Sequence, residues 1–274
     1  GMYTIENRAI PSVIDGFKPV QRKIIYIANK IWKTGSEKPL KVYQLVGQLA
    51  AGACYHHGPV SAEGAVISMA QSFKNSLPLL EELGAFGSLR DPAPGSSRYI
   101  STKTNQNFRL LYKDFEILEP RYEDGTPIEP KFFLPIIPTV LLNGSSGIAV
   151  GFATNILNRN PLELVDACLA VLDNKKFKPL LPWNAFFKGE VNLLEGKKYQ
   201  FKGVYKIVNT STVEVTELPL SMTYEKYEAI LDKLEADGKI QSYENNCSDN
   251  VSYILKFTRA DLAELIKKDG LIKL

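Results

Sequence analysis

Two stretches of helical period lie either side of a five-residue break, and that spacing constrains the fold more than any other feature of the chain. Leu45, Val46, Leu49 and Ala53 share one face of a helix expected over 40–53. Ala62, Val66, Met69, Ala70 and Phe73 share one face of another expected over 59–74. Between them, Cys54-Tyr55-His56-His57-Gly58 allows only a sharp turn, so the two helices must cross against a common core. An earlier helix starts where Pro19 follows the Asp15-Gly16 turn. It carries Ile24, Ile27, Ala28 and Ile31 on one side and ends near Thr34-Gly35. Helix, turn and helix form the arrangement in which the second helix can enter a DNA major groove. An extended segment over 98–103, after a Pro/Gly-rich loop at 91–95, adds a wing, and a helix expected over 106–115 closes this half.

Charge supports a polyanion partner for this half. Residues 1–113 carry 14 Lys and Arg against 7 Asp and Glu, a net of +7; since the whole chain is +3, the remainder carries −4. No apolar run approaches the roughly 20 residues of a membrane helix, and no signal-peptide pattern opens the chain. Gly1 ahead of Met2 reads as a tag remnant. Cys54, Cys168 and Cys247 are scattered without metal-ligand spacing and read as reduced, intracellular thiols; a cytoplasmic protein is expected.

Further along, the proline- and β-branched-rich stretch 131–142 reads as buried and extended. It leads to a loop at 143–147 whose backbone amides could meet a phosphate, and then to an apolar residue, Ile148. A helix is expected over 161–172, and 174–182 has the composition of a boundary. From Lys188 the texture changes to alternating strands at 189–194, 199–208 and 213–218. A helix at 224–236, strands at 240–243 and 251–257 and a helix at 259–268 follow. The expected class is α+β: a winged-helix domain over 1–157 followed by a β-rich domain over 158–274.

The chemistry centres on Arg98-Tyr99, set in the carboxylate-free run Gly95-Ser96-Ser97-Arg98-Tyr99-Ile100-Ser101-Thr102-Lys103. A tyrosine hydroxyl can act as a nucleophile, and a fixed cation beside one favours the phenolate and suits a phosphate electrophile. Arg121-Tyr122 is a rival pair. Glu123-Asp124 follow it directly, and two carboxylates would repel a phosphate, so Tyr122 is rejected.

Six motifs occur in order: Asn7-Arg8-Ala9-Ile10-Pro11, Asp15-Gly16-Phe17-Lys18-Pro19-Val20-Gln21-Arg22, Tyr55-His56-His57-Gly58, Gly84-Ala85-Phe86-Gly87, Ser97-Arg98-Tyr99-Ile100 and Leu142-Asn143-Gly144-Ser145-Ser146-Gly147-Ile148-Ala149. Together they resemble the breakage-reunion region of type IIA DNA topoisomerases, and are most like the multi-subunit enzymes of large tailed bacteriophages. The β-rich remainder is similar to the family's tower domain. The resemblance implies that Tyr99 attacks a DNA phosphodiester to give a 5′-phosphotyrosyl link. Arg98 and Arg8 then stabilise the reacting phosphate, and His57 donates a hydrogen bond or shuttles a proton near it. It implies DNA contacts from Lys18, Arg22, Lys23, His56, Ser61, Lys103, Asn143, Ser145 and Ser146, and an Ile148 that wedges between base pairs.

The resemblance also implies a double-stranded DNA substrate, a homodimer in the full enzyme, and use of Mg²⁺ and ATP. The sequence shows neither an Asp-x-Asp cluster nor a nucleotide-binding loop, so a partner ATPase and metal-binding subunit is expected to hold both. Against the family, the chain is expected to be a fragment, cut short of the helix ahead of Arg8 and of the coiled coil. A non-catalytic winged-helix module explains the basic half but not the joint occurrence of Arg8, His57, Arg98 and Tyr99. A tyrosine recombinase is disfavoured because the only two histidines are adjacent and no arginine-rich set surrounds them.

Overall fold

A computed structural model describes residues 9–268 and 270–273. Arg8 lies outside the described residues. The class is α+β, as expected. The chain forms two compact units, one of Gly1–Ser88 with Ala93–Asn184, the other of Leu89–Pro92 with Ala185–Leu274. The division thus falls after Asn184, beyond the expected boundary at 157/158. Helix Pro161–Leu172 accounts for the difference, because it buries Leu164 in the first core.

In the first unit, α1 (Pro19–Ile31) has proline at its start and buries Ile24, Ile25, Ile27 and Ala28. The turn before it needs Gly16: its φ is +71°, and a Cβ there would come within 2.8 Å of the Val140 backbone. β1 (Leu40–Lys41) leads into α2 (Val42–Ala53), which buries Val42, Leu45, Val46, Leu49 and Ala53. Cys54 ends α2 in the left-handed conformation, and the chain re-enters helix as α3 (Pro59–Ala70). β2 (Ser101–Thr102) pairs antiparallel with β1, closing the wing, and α4 (Gln106–Leu111) follows. Trp32, Leu45, Leu49, Leu80, Ile100, Phe108 and Phe133 form the centre of the core.

Two expectations fail in the stretch that follows. The segment 131–142 is not extended throughout: Pro138, with φ −63°, starts a single helical turn, α5 (Thr139–Leu142). Residues 143–147 are not an open loop. β5 (Ser145–Ala149) and β6 (Phe152–Ile156) form a hairpin turned at Val150-Gly151. An unexpected hairpin, β3 (Pro120–Glu123) with β4 (Thr126–Pro130), turns at Asp124-Gly125, both at positive φ. α6 (Pro161–Leu172) completes the unit.

The second unit contains the hairpin β7 (Glu190–Leu194) with β8 (Lys198–Lys202). Its main sheet is antiparallel in the order β11 (Ser242–Asn245), β12 (Tyr253–Lys256), β10 (Thr212–Glu217), β9 (Val204–Asn209). The single strand expected at 199–208 is broken at Gly203, where a Cβ would lie 2.3 Å from the Glu217 carbonyl oxygen. α7 (Tyr224–Ala236) and α8 (Arg259–Lys267) contribute Tyr227, Leu231, Leu234 and Leu262 to a core with Val213, Tyr253, Leu255 and Phe257. Arg90 is buried here, donating to Glu217 and to the carbonyls of Leu218, Pro219 and Met222.

Candidate functional site

Tyr99 ends a tight turn closed by its own amide on the Ser96 carbonyl at 2.8 Å. Ile100, directly after it, is buried and anchors the turn, while Arg98 is exposed and Tyr99 is 78% exposed. The first amides of a helix lack partners within it. Here the turn supplies them: Val42 donates to the Ile100 carbonyl at 3.1 Å and Tyr43 to that of Ser97 at 3.3 Å. The Lys41 ammonium donates to the Tyr99 carbonyl at 2.9 Å. An open phenol and Arg98 therefore share one turn, with Lys41 of β1 bonded to its backbone. Sequence reasoning missed Lys41; the only signal for it was its place one residue ahead of α2.

A groove of about 1240 Å³ runs elsewhere on the same unit, between the start of α1, the Cys54–His57 turn, α3 and the β5–β6 hairpin. It is lined by Lys18, His56, His57, Ser61, Ser145 and Ser146, and also by Arg22, Lys23 and Asn143. It does not include Arg98, Tyr99, Lys103 or Ile148. His57 is exposed, its ring edge-on to Tyr55 with centroids 5.7 Å apart, and His56 lies 3.5 Å from a Glu123 carboxylate oxygen.

Several residues expected on DNA have other partners. Arg22 is buried, with Nε 2.7 Å from Asp15 Oδ2 and Nη2 donating to Asp15 Oδ1 and the Phe17 carbonyl. Lys23 donates to the Ala53 carbonyl and to Glu129 Oε2 at 3.0 Å. Asn143 is held by both polar groups of its amide on the Leu77 backbone, each at 2.9 Å. Ser145 Oγ donates to the Gly16 carbonyl at 3.1 Å, and Lys103 Nζ sits 3.7 Å from Glu81. All but Lys103 line the groove, each held there by partners within the protein, and the buried Arg22 is paired where it lies.

Lys74 was not singled out from the sequence. It lines the groove with its side chain exposed, and partial desolvation there lowers its pKa from the ordinary value of 10.5. Ile148 is 85% exposed on the β5–β6 hairpin, beside Val150 at 92%, so it is no core residue. In the rival pair, Tyr122 is exposed, but the Arg121 guanidinium is engaged by Glu129 at 2.5 Å and is not free to serve the phenol. Among the described residues no three His, Cys, Asp or Glu side chains converge to hold a metal ion.

A family model for the A subunit of DNA gyrase/topoisomerase IV matches residues 8–273. This chain is a member of that family. Among its relatives, the DNA topoisomerase medium subunit of enterobacteria phage T4 is 39% identical over 99% of this chain and 63% of that protein. DNA topoisomerase 2 of Arabidopsis thaliana is 40% identical over 85% of this chain and 16% of its own length. The crystal structure of the Plasmodium falciparum topoisomerase II DNA-binding, cleavage and re-ligation domain superposes with a TM-score of 0.92 at 32% identity, over 99% of this chain and 38% of that one. This gyrase/topoisomerase IV chain thus spans less than two thirds of the length of these relatives. This chain shares the fold of that solved domain.

Proposed function

We propose that this chain is the DNA-binding and cleavage core of an ATP-dependent type II DNA topoisomerase, with Tyr99 as its nucleophile. The observation that carries the reading is the open Arg98-Tyr99 turn in a chain of the gyrase/topoisomerase IV family. The Tyr99 hydroxyl oxygen attacks a backbone phosphorus of duplex DNA and loses its proton. The bond to the 3′-oxygen breaks, leaving a free 3′-hydroxyl and a 5′-phosphotyrosyl link. Reversal reseals the strand at nearly equal energy, because one phosphodiester replaces another. Charge builds on the phosphoryl oxygens in the transition state, so fixed cations and donors carry the catalysis. Arg98 is the cation adjacent to the phenol in sequence, and Arg8 is assigned a second such role from its motif.

The groove supports the reading differently. Lys18, Ser61 and Ser146, with Lys74, offer cationic and hydroxyl contacts that position a phosphate backbone without reading sequence. His57 and His56 are assigned to DNA held in that groove, and Ile148 to a wedge between base pairs. Mg²⁺ and ATP are assigned to a partner subunit, with a homodimer in the complete enzyme and a cytoplasmic setting. The test is Tyr99→Phe in the complex with its partner subunit. The variant should bind DNA with near-normal affinity and form no covalent adduct; an adduct that persists overturns the assignment.

A further inference from the structure

Three consecutive residues hold the turn that carries the proposed nucleophile. Val42 and Tyr43 do so with backbone amides, which no side-chain substitution removes. Lys41 does so with its ammonium, on the carbonyl of Tyr99 itself. The phenol is 78% exposed, so packing does not fix the ring, and its direction is inherited from the backbone that bears it. That backbone is secured on its N-terminal side by the Tyr99 amide on Ser96 and on its C-terminal side by Lys41.

We infer that Lys41 is a positioning residue for strand breakage: by holding the Tyr99 carbonyl it fixes the peptide plane that aims the phenolic oxygen. The inference rests on the reading of Tyr99 as nucleophile. The chemistry makes such a hold worthwhile. In-line attack on phosphorus needs the oxygen aligned at close range, and a misplacement of about 1 Å can cost on the order of a hundredfold in rate. A charged donor on a carbonyl is stronger than a neutral one, which suits a clasp exposed to water. The pairing of β1 with β2, Leu40 with Thr102 and Lys41 with Ser101, delivers the lysine to this place. Its position is therefore set by the same ladder that sets the wing.

The experiment uses the complex with its partner subunit, Mg²⁺ and end-labelled duplex, and measures two quantities: the rate of covalent adduct formation and the DNA dissociation constant. Lys41→Ala should slow adduct formation about ten- to a hundredfold while leaving DNA affinity little changed. Lys41→Met, which keeps the aliphatic stem but no donor, should behave the same way, and Lys41→Arg should recover most of the rate. Either neutral variant forming adduct at the normal rate overturns the inference. So does a fall in rate matched by an equal fall in affinity, which would make Lys41 an ordinary DNA contact. Tyr99→Phe, run in parallel, separates the two claims: an adduct surviving in it removes the nucleophile assignment, whereas its loss beside unaffected Lys41 variants removes only the role of Lys41.

Discussion

The Arg22 guanidinium closes on the Asp15 carboxylate, Nε to Oδ2 at 2.7 Å and Nη2 to Oδ1 at 3.2 Å, with both residues buried. Asp15 also accepts the amides of Phe17 and Phe133, each at 3.0 Å, so the pair ties the turn before α1 to a distant segment. Removing the arginine leaves a buried carboxylate without its cation. Arg22→Ala is expected to cost about 3–5 kcal/mol of stability, read by urea unfolding. Asp15→Asn combined with Arg22→Met should cost less than the sum of the two single changes, because the pair acts as a unit.

Ile148 stands on the hairpin with no protein cover, and its expected task is to wedge into DNA. Ile148→Ala should reduce the bend of bound DNA, measured by energy transfer between end-attached dyes, and slow adduct formation. It removes no phosphate contact, so the slope of affinity against salt should not change. A changed slope with an unchanged bend would contradict the wedge.

Lys74 makes the opposite prediction. Desolvation penalises its charged form; that penalty is present at neutral pH and is relieved as pH rises through the lowered folded-state value toward 10.5. Lys74→Met should therefore leave the fold at least as stable. DNA binding should weaken, and its salt slope should shrink by about 1. Equilibrium binding across a salt series checks both.

Much of the fold was legible, and the reasons are local. The 3.6-residue period of Leu45, Leu49, Val66 and Ala70 placed α2 and α3, and Thr223 and Gly238 bracket α7 at its observed bounds. The β3–β4 hairpin was missed although Asp124-Gly125 is a strong turn pair, because Pro120, Pro127 and Pro130 mask the strands around it. For the candidate site, Tyr99 stands out because its basic, carboxylate-free setting is contiguous in sequence. The pairing of Lys23 was not legible, since its partner Glu129 lies more than a hundred residues away. A cation that binds phosphate and one that neutralises a buried acid look the same in a sequence.

The second unit should fail at alkaline pH. Burial pushes the Tyr227 phenol up to about 12, and the hydrogen bond to Asp232 pushes Tyr243 up to about 12; Tyr253 is raised by burial and by Glu228. Each favours the neutral phenol in the folded state. Their contribution is intact below the ordinary value of 10.0 and is lost as pH climbs from there through about 12. Urea unfolding followed across that range should show a plateau and then a decline, and Tyr227→Phe should make the decline shallower. A decline already complete below 10 would contradict this origin.

The most direct measurement identifies the residue that becomes attached to DNA. The complex is incubated with its partner subunit, Mg²⁺ and labelled duplex, trapped by denaturation, digested, and the nucleotide-bearing peptide sequenced by mass spectrometry. The account predicts a 5′-phosphate esterified to Tyr99 within the peptide around Arg98 and Ile100. Attachment at Tyr122 or at any other side chain, or a linkage through a 3′-phosphate, would contradict it.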